Sequence, residues 1–259
     1  MKKLLSCFLC VVMILTTFSL TSCGGDKKVD TINGVDPEEA LANALEMIEN
    51  ADRYSTSYDL NISLGVGFLS VKGSGRGLYT ETHDGDNYHY LINEDAGEAS
   101  LLGDIWDELT SAAIRTDFDE LWYYDGMYYI RDGSSKKKYS PGYISISLMS
   151  GTEMLYDFFD LVSDYNCYVD YLGQYYIQGE LSGDSEYIVA VGDISLAKLT
   201  ATVYFNKDGS IKRLVIGSDT LLAKGTSSFN YKYNNAVPEL TLPADISSYE
   251  SGVYNGYPW

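Results

Sequence analysis

The feature that most constrains the fold is an alternation of apolar and polar side chains along much of the chain. Tyr58, Leu60 and Ile62 are separated by polar residues, and the same period of two recurs over 199–205 and 229–233. Successive side chains of a β-strand point to opposite sides of the sheet, so this period predicts strands with one dry and one wet face. Sheets with one wet face are typically antiparallel.

Turn chemistry predicts that these strands are joined as hairpins. Asp-Gly pairs occur at 84–85, 125–126, 132–133 and 208–209, each beside a strand pattern. Such pairs favour the tight turns that connect antiparallel neighbours. The chain therefore predicts one long antiparallel sheet, and a sheet of this length must twist and curl.

Glycines interrupt one of the predicted strands, which covers 68–80. Gly73, Gly75 and Gly77 occupy alternate positions and leave one strip of the sheet without side chains. Glycine within a strand marks either a sharp bend or the close approach of another group. The strip is therefore either a bend or room for a ligand or a helix, and both alternatives predict a curved sheet.

Helices are predicted in three places. Asp36 can cap a helix, Pro37 suits its first position, and Glu39 follows the cap by three residues. Apolar residues then recur at helical spacing up to Ala51, and weaker helical patterns occur over 101–113 and 154–162. The order of one leading helix, many strands and inserted helices defines an α+β fold with a single antiparallel sheet.

The first 22 residues have the layout of a secretory signal. Lys2 and Lys3 precede a nearly uncharged run that ends in Leu20-Thr21-Ser22-Cys23. These four residues resemble the lipobox of bacterial lipoproteins, which implies cleavage before Cys23 and a diacylglycerol on its sulfur. A transmembrane helix is the weaker alternative, because the run is short for a span. Residues 23–35 would then form the lipidated cysteine and a flexible tether, 36–246 the folded domain, and 247–259 a loosely held tail rich in tyrosine and glycine.

The net charge of the chain limits the kinds of molecule that it can bind. The net charge is −19, and loss of Lys2 and Lys3 with the signal makes the mature chain more negative still. Such a surface repels phosphate backbones and anionic headgroups, so we expect no nucleic-acid partner. Attachment to the cell membrane is expected through acyl chains on Cys23, in an extracytoplasmic and monomeric protein.

Neither disulfides nor a basic site is expected. Cys7 and Cys10 lie in the signal and Cys23 is the predicted lipidation site, which leaves Cys167 without a partner. Cys167 is expected to be a small buried apolar residue. Three lysines at 136–138 are expected to protect a sheet edge from pairing with other strands.

Four motifs carry a resemblance to a known superfamily. They are YDGMY at 124–128, VYFNKDG at 203–209, FNYKY at 229–233 and LTLP at 240–243. Together with the lipobox and the order of elements, they resemble the lipoprotein-carrier superfamily typified by LolA and LolB, and uncharacterised secreted lipoproteins of Gram-positive bacteria. The resemblance spans 36–246 and implies a half-open barrel whose concave face is covered by helices, with an apolar cavity between them.

The residues do not predict an enzyme, a metal site or a cofactor. His83 and His89 are the only histidines, and the nearby Asp84 and Asp86 are explained by the hairpin turn. Cys167 as a nucleophile would need one of these histidines as its base, and nothing favours that. Paired carboxylates of the kind that hydrolyse glycosides stay open as an alternative, because acidic residues are numerous.

Two functions remain. The first is binding of an apolar ligand, a lipid or acyl chain, in a cavity between sheet and helices, which is the role that the resemblance implies. We expect the cavity or helix-facing wall to include Leu60, Ile62, Leu69, Val71, Trp122, Val203 and Phe205. The alternative is a cell-surface interaction module that binds a protein or glycan through exposed members of its 24 tyrosines.

Overall fold

A computed structural model describes residues 26–64, 71–93, 97–99, 118–141, 150–162, 165–180, 198–219 and 223–252. Its main element is one sheet of fourteen strands. The strands are β1 (Lys27–Val29), β2 (Arg53–Leu64), β3 (Val71–Asp84), β4 (Asn87–Ile92), β5 (Gly97–Ala99), β6 (Glu120–Tyr124), β7 (Met127–Asp132), β8 (Ser135–Tyr139), β9 (Tyr165–Val169), β10 (Tyr175–Glu180), β11 (Lys198–Phe205), β12 (Ile211–Asp219), β13 (Ala223–Tyr233) and β14 (Glu250–Ser251).

The sheet is open, and nearly all of its pairs are antiparallel. Its order is β1-β9-β10-β11-β12-β13-β2-β3-β4-β6-β7-β8-β14, with β5 paired to β3 beside this path. The single parallel pair among the described strands joins β14 to β8. Register shifts between Tyr58 and Leu60 and between Tyr204 and Phe205 interrupt two ladders, and such bulges bend a strand. The predicted α+β fold with a single curved sheet is confirmed.

Two α-helices are described, and the sequence predicted both. Helix α1 (Pro37–Glu49) begins after Asp36, whose side chain accepts a hydrogen bond from the backbone nitrogen of Glu38 at 3.0 Å. Helix α2 (Gly151–Leu161) begins after Ser150, whose hydroxyl caps Thr152. The helix predicted over 101–113 lies outside the described residues. Neither α1 nor α2 is long and apolar enough to cross a membrane.

Both helices pack on the same face of the sheet, which we call the inner face. Their buried residues belong to one hydrophobic cluster with side chains from β2, β3 and β9–β13. Tyr58, Phe229 and Leu214 are aligned across neighbouring strands and form part of its floor. Cys167 is a free, buried cysteine in the same cluster, as the sequence predicted.

At one position of the glycine strip of β3, the space beside the glycine is filled by another side chain of the same strand. Gly75 pairs with Leu60, and a Cβ on Gly75 would lie 2.6 Å from Cδ2 of Leu78. Leu78 is fully buried in the core cluster, and Gly77 has a φ of +62°. The strand bends after Gly75, and the missing side chain leaves room for Leu78 there. At Gly75, therefore, the group that approaches is neither a ligand nor the first helix.

The ordered domain begins earlier than the sequence predicted. Lys27, Lys28 and Val29 fall within the expected tether, yet they form β1 and pair with β9. Ile32 is buried in the core cluster and forms a bridge with Val35. The tether prediction is therefore wrong for these residues, because Val29 and Ile32 provide apolar side chains that the edge of the core can bury.

The structure also differs from the sequence prediction at the other end of the sheet. Strand β8, which carries the three lysines, is not the edge, because β14 pairs alongside it. Lys137 forms an ion pair with Glu250 at 2.8 Å, Lys136 forms one with Asp245, and Tyr249 is buried. The lysines therefore hold the C-terminal segment as far as Gly252 against the sheet, where a loose tail and an edge guard were predicted.

Candidate functional site

The structure brings four of the seven predicted wall residues together under the helices. Leu60, Val203 and Phe205 are buried in the core cluster, and Ile62 packs against it. They lie on β2 and β11, whose inner faces are connected through β12 and β13. This part of the wall is therefore covered by the protein's own side chains.

The other three wall residues lie elsewhere. Leu69 is outside the described residues, and Val71 is described only as the first residue of β3. Trp122 is buried on the opposite face of the sheet, which we call the outer face. Its ring stacks on that of His89 with a centroid distance of 4.7 Å, and it contacts the ring of Tyr249 edge-on with a centroid distance of 6.4 Å. Trp122 therefore does not share a face with Leu60, Val203 and Phe205.

A second region of the inner face has a different composition. Strands β4, β6 and β7 turn a set of neighbouring rings toward this face, which we call the aromatic strip. Its members are Tyr88, Tyr90, Tyr123 and Tyr128. The rings of Tyr88 and Tyr123 are stacked with their centroids 5.1 Å apart, and the centroids of the Tyr123 and Tyr128 rings are 4.9 Å apart. These three side chains are only partly buried and lie outside the core cluster, so they can contact another molecule.

A buried carboxylate separates the core cluster from the aromatic strip. Glu81 of β3 is 1% exposed and pairs across the ladder with Tyr90. Its oxygens accept hydrogen bonds from the hydroxyl of Ser150 at 3.1 and 3.2 Å and from the backbone nitrogen of Gly151 at 3.2 Å. Since Ser150 and Gly151 begin α2, the negative charge lies at the positive end of the helix dipole.

His83 provides a further donor to this carboxylate. Its Nε2 lies 2.6 Å from Oε1 of Glu81, and its ring stacks on that of Tyr54 at 4.3 Å. A carboxylate accepts and cannot donate, so the proton of this hydrogen bond belongs to Nε2. Three groups from two elements therefore converge on Glu81 and fix α2 to the sheet.

The tyrosines around Glu81 are held in their neutral form. Burial, followed by the negative charge of Glu81, raises the pKa of Tyr90 and Tyr54 far above the ordinary tyrosine value. The same two causes, in the same order, raise the pKa of Tyr79. At neutral pH these hydroxyls therefore stay protonated and act as hydrogen-bond donors or acceptors without charge.

The two histidines do not form a joint site. His83 lies on the inner face, whereas His89 lies on the outer face, where its Nε2 is 2.9 Å from Oε1 of Glu120. Within the described ranges, no group of three or more His, Cys, Asp or Glu side chains could hold a metal ion. The sequence analysis did not single out Glu81, although its signal was present: Glu81 and His83 are in phase with Tyr79 on the dry face of their strand.

Two small clefts open beside Phe205, at the end of the sheet where the chain enters β1. One has a volume of about 330 Å³ and is bordered by Leu172, Gln174 and Lys212. The other has a volume of about 220 Å³ and lies under α1, bordered by Ala40 and Met47. Ligand pockets usually enclose roughly 300 to 1,000 Å³, so these clefts are at or below the lower limit.

Comparison with known proteins gives only distant structural likenesses. No protein-family model matches the chain, and no curated protein matches it. The structure is similar to LprF from Mycobacterium bovis, which is 13% identical with a TM-score of 0.35 and 80% of this chain and 97% of that chain covered. The lipoprotein LppX of Mycobacterium tuberculosis is also similar. It is 13% identical, with a TM-score of 0.36, and the match covers 78% of this chain and 99% of that chain.

A LolA superfamily protein from Nitrosomonas europaea is 10% identical, with a TM-score of 0.23 and 81% of this chain and 96% of that chain covered. The chain is similar to these three structures over 78% to 81% of its length. At such TM-scores these matches describe a resemblance only.

Proposed function

We propose that this chain is an extracytoplasmic lipoprotein, anchored to the bacterial membrane through Cys23, that binds a lipid or acyl chain on the inner face of its sheet. The observation that supports this most is the aromatic strip. Three of its four rings are only partly buried, and the strip adjoins a core that two helices already cover. A tyrosine ring offers a broad apolar surface with a hydroxyl that tolerates water, which suits contact with an amphipathic ligand.

In this proposal the ligand lies beside the helices and not beneath them. Leu60, Val203 and Phe205 are already buried by the side chains of the core cluster. Interiors are close-packed, so a ligand there would have to displace α1 or α2. Contact with Tyr88, Tyr123 and Tyr128 needs no such displacement, since their rings keep accessible surface.

The alternative of a surface module with an exposed tyrosine patch receives less support. Among the described tyrosines, only Tyr156 and Tyr171 are exposed. Tyr156 lies on α2, and its hydroxyl donates to Glu49 of α1, whereas Tyr171 lies in the turn between β9 and β10. The described part of the chain therefore has no contiguous exposed patch of tyrosines.

Two adjacent residues provide a matched test of ligand binding. Tyr123 and Tyr124 are both partly buried on β6 and point to opposite faces of the sheet. The mature chain, made without the signal, would be titrated with a fluorescent fatty acid. Tyr123→Glu introduces a charge into the aromatic strip and should weaken binding at least about tenfold, since an unpaired carboxylate in apolar contact is unfavourable.

Tyr124→Glu is the control and should bind like the unmodified chain. Thermal unfolding of both variants checks that each is folded. Equal affinity of the two variants, or no probe uptake by the unmodified chain, would contradict the proposed site.

Membrane attachment is tested separately. Cys23→Ser should abolish incorporation of radiolabelled palmitate, which the unmodified full-length chain should incorporate. Equal labelling of the two proteins, or labelling of neither, would contradict the predicted anchor.

A further inference from the structure

The most exposed large apolar side chains in the described structure lie side by side. Tyr171 is 81% exposed and Leu172 is 73% exposed. They form the tip of the hairpin between β9 and β10. Contiguous exposed apolar surface is uncommon on soluble proteins, and it often belongs to a site that contacts a membrane or a partner.

The turn that carries this pair is well defined. Oδ1 of Asp170 accepts hydrogen bonds from the backbone nitrogens of Leu172 and Gln174, both at 2.8 Å. Gly173 has a φ of +77°, which an L side chain rarely adopts. The turn therefore holds Tyr171 and Leu172 outward through backbone hydrogen bonds, so their exposure follows from the local structure.

Strand pairing and chain length limit the distance between the hairpin and the lipid anchor. Strand β1 pairs with β9, and Lys27 lies opposite Val169, two residues before Tyr171. Cys23 precedes Lys27 by four residues. A fully extended chain advances at most about 3.6 Å per residue, so Cys23 lies within roughly 15 Å of Lys27. Acyl chains on Cys23 would therefore enter the bilayer close to this hairpin.

Basic side chains lie near the hairpin. Lys27 and Lys28 are on β1, which pairs with β9, and Lys207 and Lys212 border the cleft that Leu172 lines. The acidic residues in the same part of the sheet include Asp26, Asp30, Asp170 and Asp208. Several of these aspartates are engaged locally: Asp170 holds the turn, and Asp26 accepts from the hydroxyl of Tyr176 at 2.6 Å. The four lysines offset part of the −19 charge of the full chain near the hairpin, which lessens repulsion there by a negatively charged membrane.

We propose that Tyr171 and Leu172 insert into the membrane interface beside the acylated Cys23 and hold the domain in one orientation. Tyrosine favours the headgroup level of a bilayer, and leucine favours the acyl region beneath it. A single residue pair binds a bilayer weakly, but the covalent anchor supplies a high effective concentration. The inference rests on the anchor of the proposed function and adds to it a second contact, which fixes how the sheet faces the membrane.

The test uses the full chain, acylated in a bacterial host and reconstituted into vesicles of phosphatidylethanolamine and phosphatidylglycerol. In a Cys167→Ala background, Tyr171→Cys would carry a polarity-sensitive fluorophore. The matched control is Ser134→Cys in the turn between β7 and β8, an exposed position at the opposite end of the strands. Lipids with spin labels along their acyl chains serve as quenchers.

We expect a blue shift and strong quenching of the label at 171, with neither effect at 134. Equal emission and quenching at both positions, in protein that sediments with the vesicles, would overturn the hairpin contact and leave the anchor intact. Protein that carries no acyl group and stays in solution would overturn both. A Leu172→Ser variant provides an independent measurement, since it should reduce quenching at 171 at least twofold, and unchanged quenching would contradict insertion.

Discussion

Replacement of Glu81 by glutamine should destabilise the fold by about 3 kcal/mol. The carboxylate is buried and accepts hydrogen bonds from Ser150, Gly151 and His83. Hydrogen bonds to a charged group contribute roughly 1.5–3 kcal/mol each, and they are not additive within one network. The glutamine side chain has the same shape, but one of its two oxygen acceptors is replaced by an NH₂ group, which cannot accept a hydrogen bond. At least one of the buried donors around position 81 therefore loses its partner. The expected loss is a large fraction of a typical stability of 5–15 kcal/mol.

The assay is urea unfolding of the mature chain, monitored by both tryptophan fluorescence and circular dichroism. Glu239→Gln is the control, because its side chain is 82% exposed and lies 3.7 Å from Arg53, so its removal should cost less than about 1 kcal/mol. Ser150→Ala combined with Glu81→Gln completes a double-mutant cycle, whose coupling energy should exceed about 0.5 kcal/mol. If Glu81→Gln unfolds at the same urea concentration as Glu239→Gln, Glu81 does not hold α2 on the sheet.

Three further changes test the same region. Thr56→Val should raise the free energy of unfolding by about 1 kcal/mol in urea titrations, because the buried Oγ1 of Thr56 has no hydrogen-bond partner, and a loss of stability would contradict this. Gly151→Ala should lower it by about 1–3 kcal/mol, since a Cβ would lie 2.4 Å from Cγ2 of Thr56, and a neutral result would mean that α2 shifts freely. Burial raises the pKa of Tyr58 to about 12, whereas its hydrogen bond with Ser227 acts in the opposite direction. The folded state thus favours the neutral phenol, and this contribution to stability is complete below pH 10 and lost between about pH 10 and 12. Tyrosinate absorbance should therefore rise together with unfolding in that window, and full ionisation of the buried tyrosines in a folded chain would contradict the assignment.

Much of the sheet follows from local sequence. Alternation predicted β2, β11 and β13. The Asp-Gly pairs predicted the turns that follow β3, β6, β7 and β11; Asp125 and Gly126 both have positive φ, as such turns require. The caps and apolar spacing predicted α1. These features are local, because they depend on the period of a single element and on backbone preferences of one or two residues.

The sequence was less informative where partners come from distant parts of the chain. Strand β14 is only two residues long and pairs with β8 through more than one hundred intervening residues, so it has no local pattern of its own. The hairpin at 121–130 carries aromatic residues on both faces, so its alternation could not show that Trp122 faces outward while Tyr123 faces inward. Glu81 was missed for a related reason, because two of its partners, Ser150 and Gly151, lie at the start of α2 and not in its own strand.

The central claim, that the inner face holds a lipid from outside the chain, is tested most directly by mass spectrometry. The full-length protein would be purified from its own membrane and extracted with solvent, and the released lipid would be identified and counted against the protein. We expect a non-covalent lipid in roughly stoichiometric amount, in addition to the acyl groups on Cys23, and a much smaller amount from Tyr123→Glu. Recovery of the covalent acyl groups alone, from both proteins, would contradict the account.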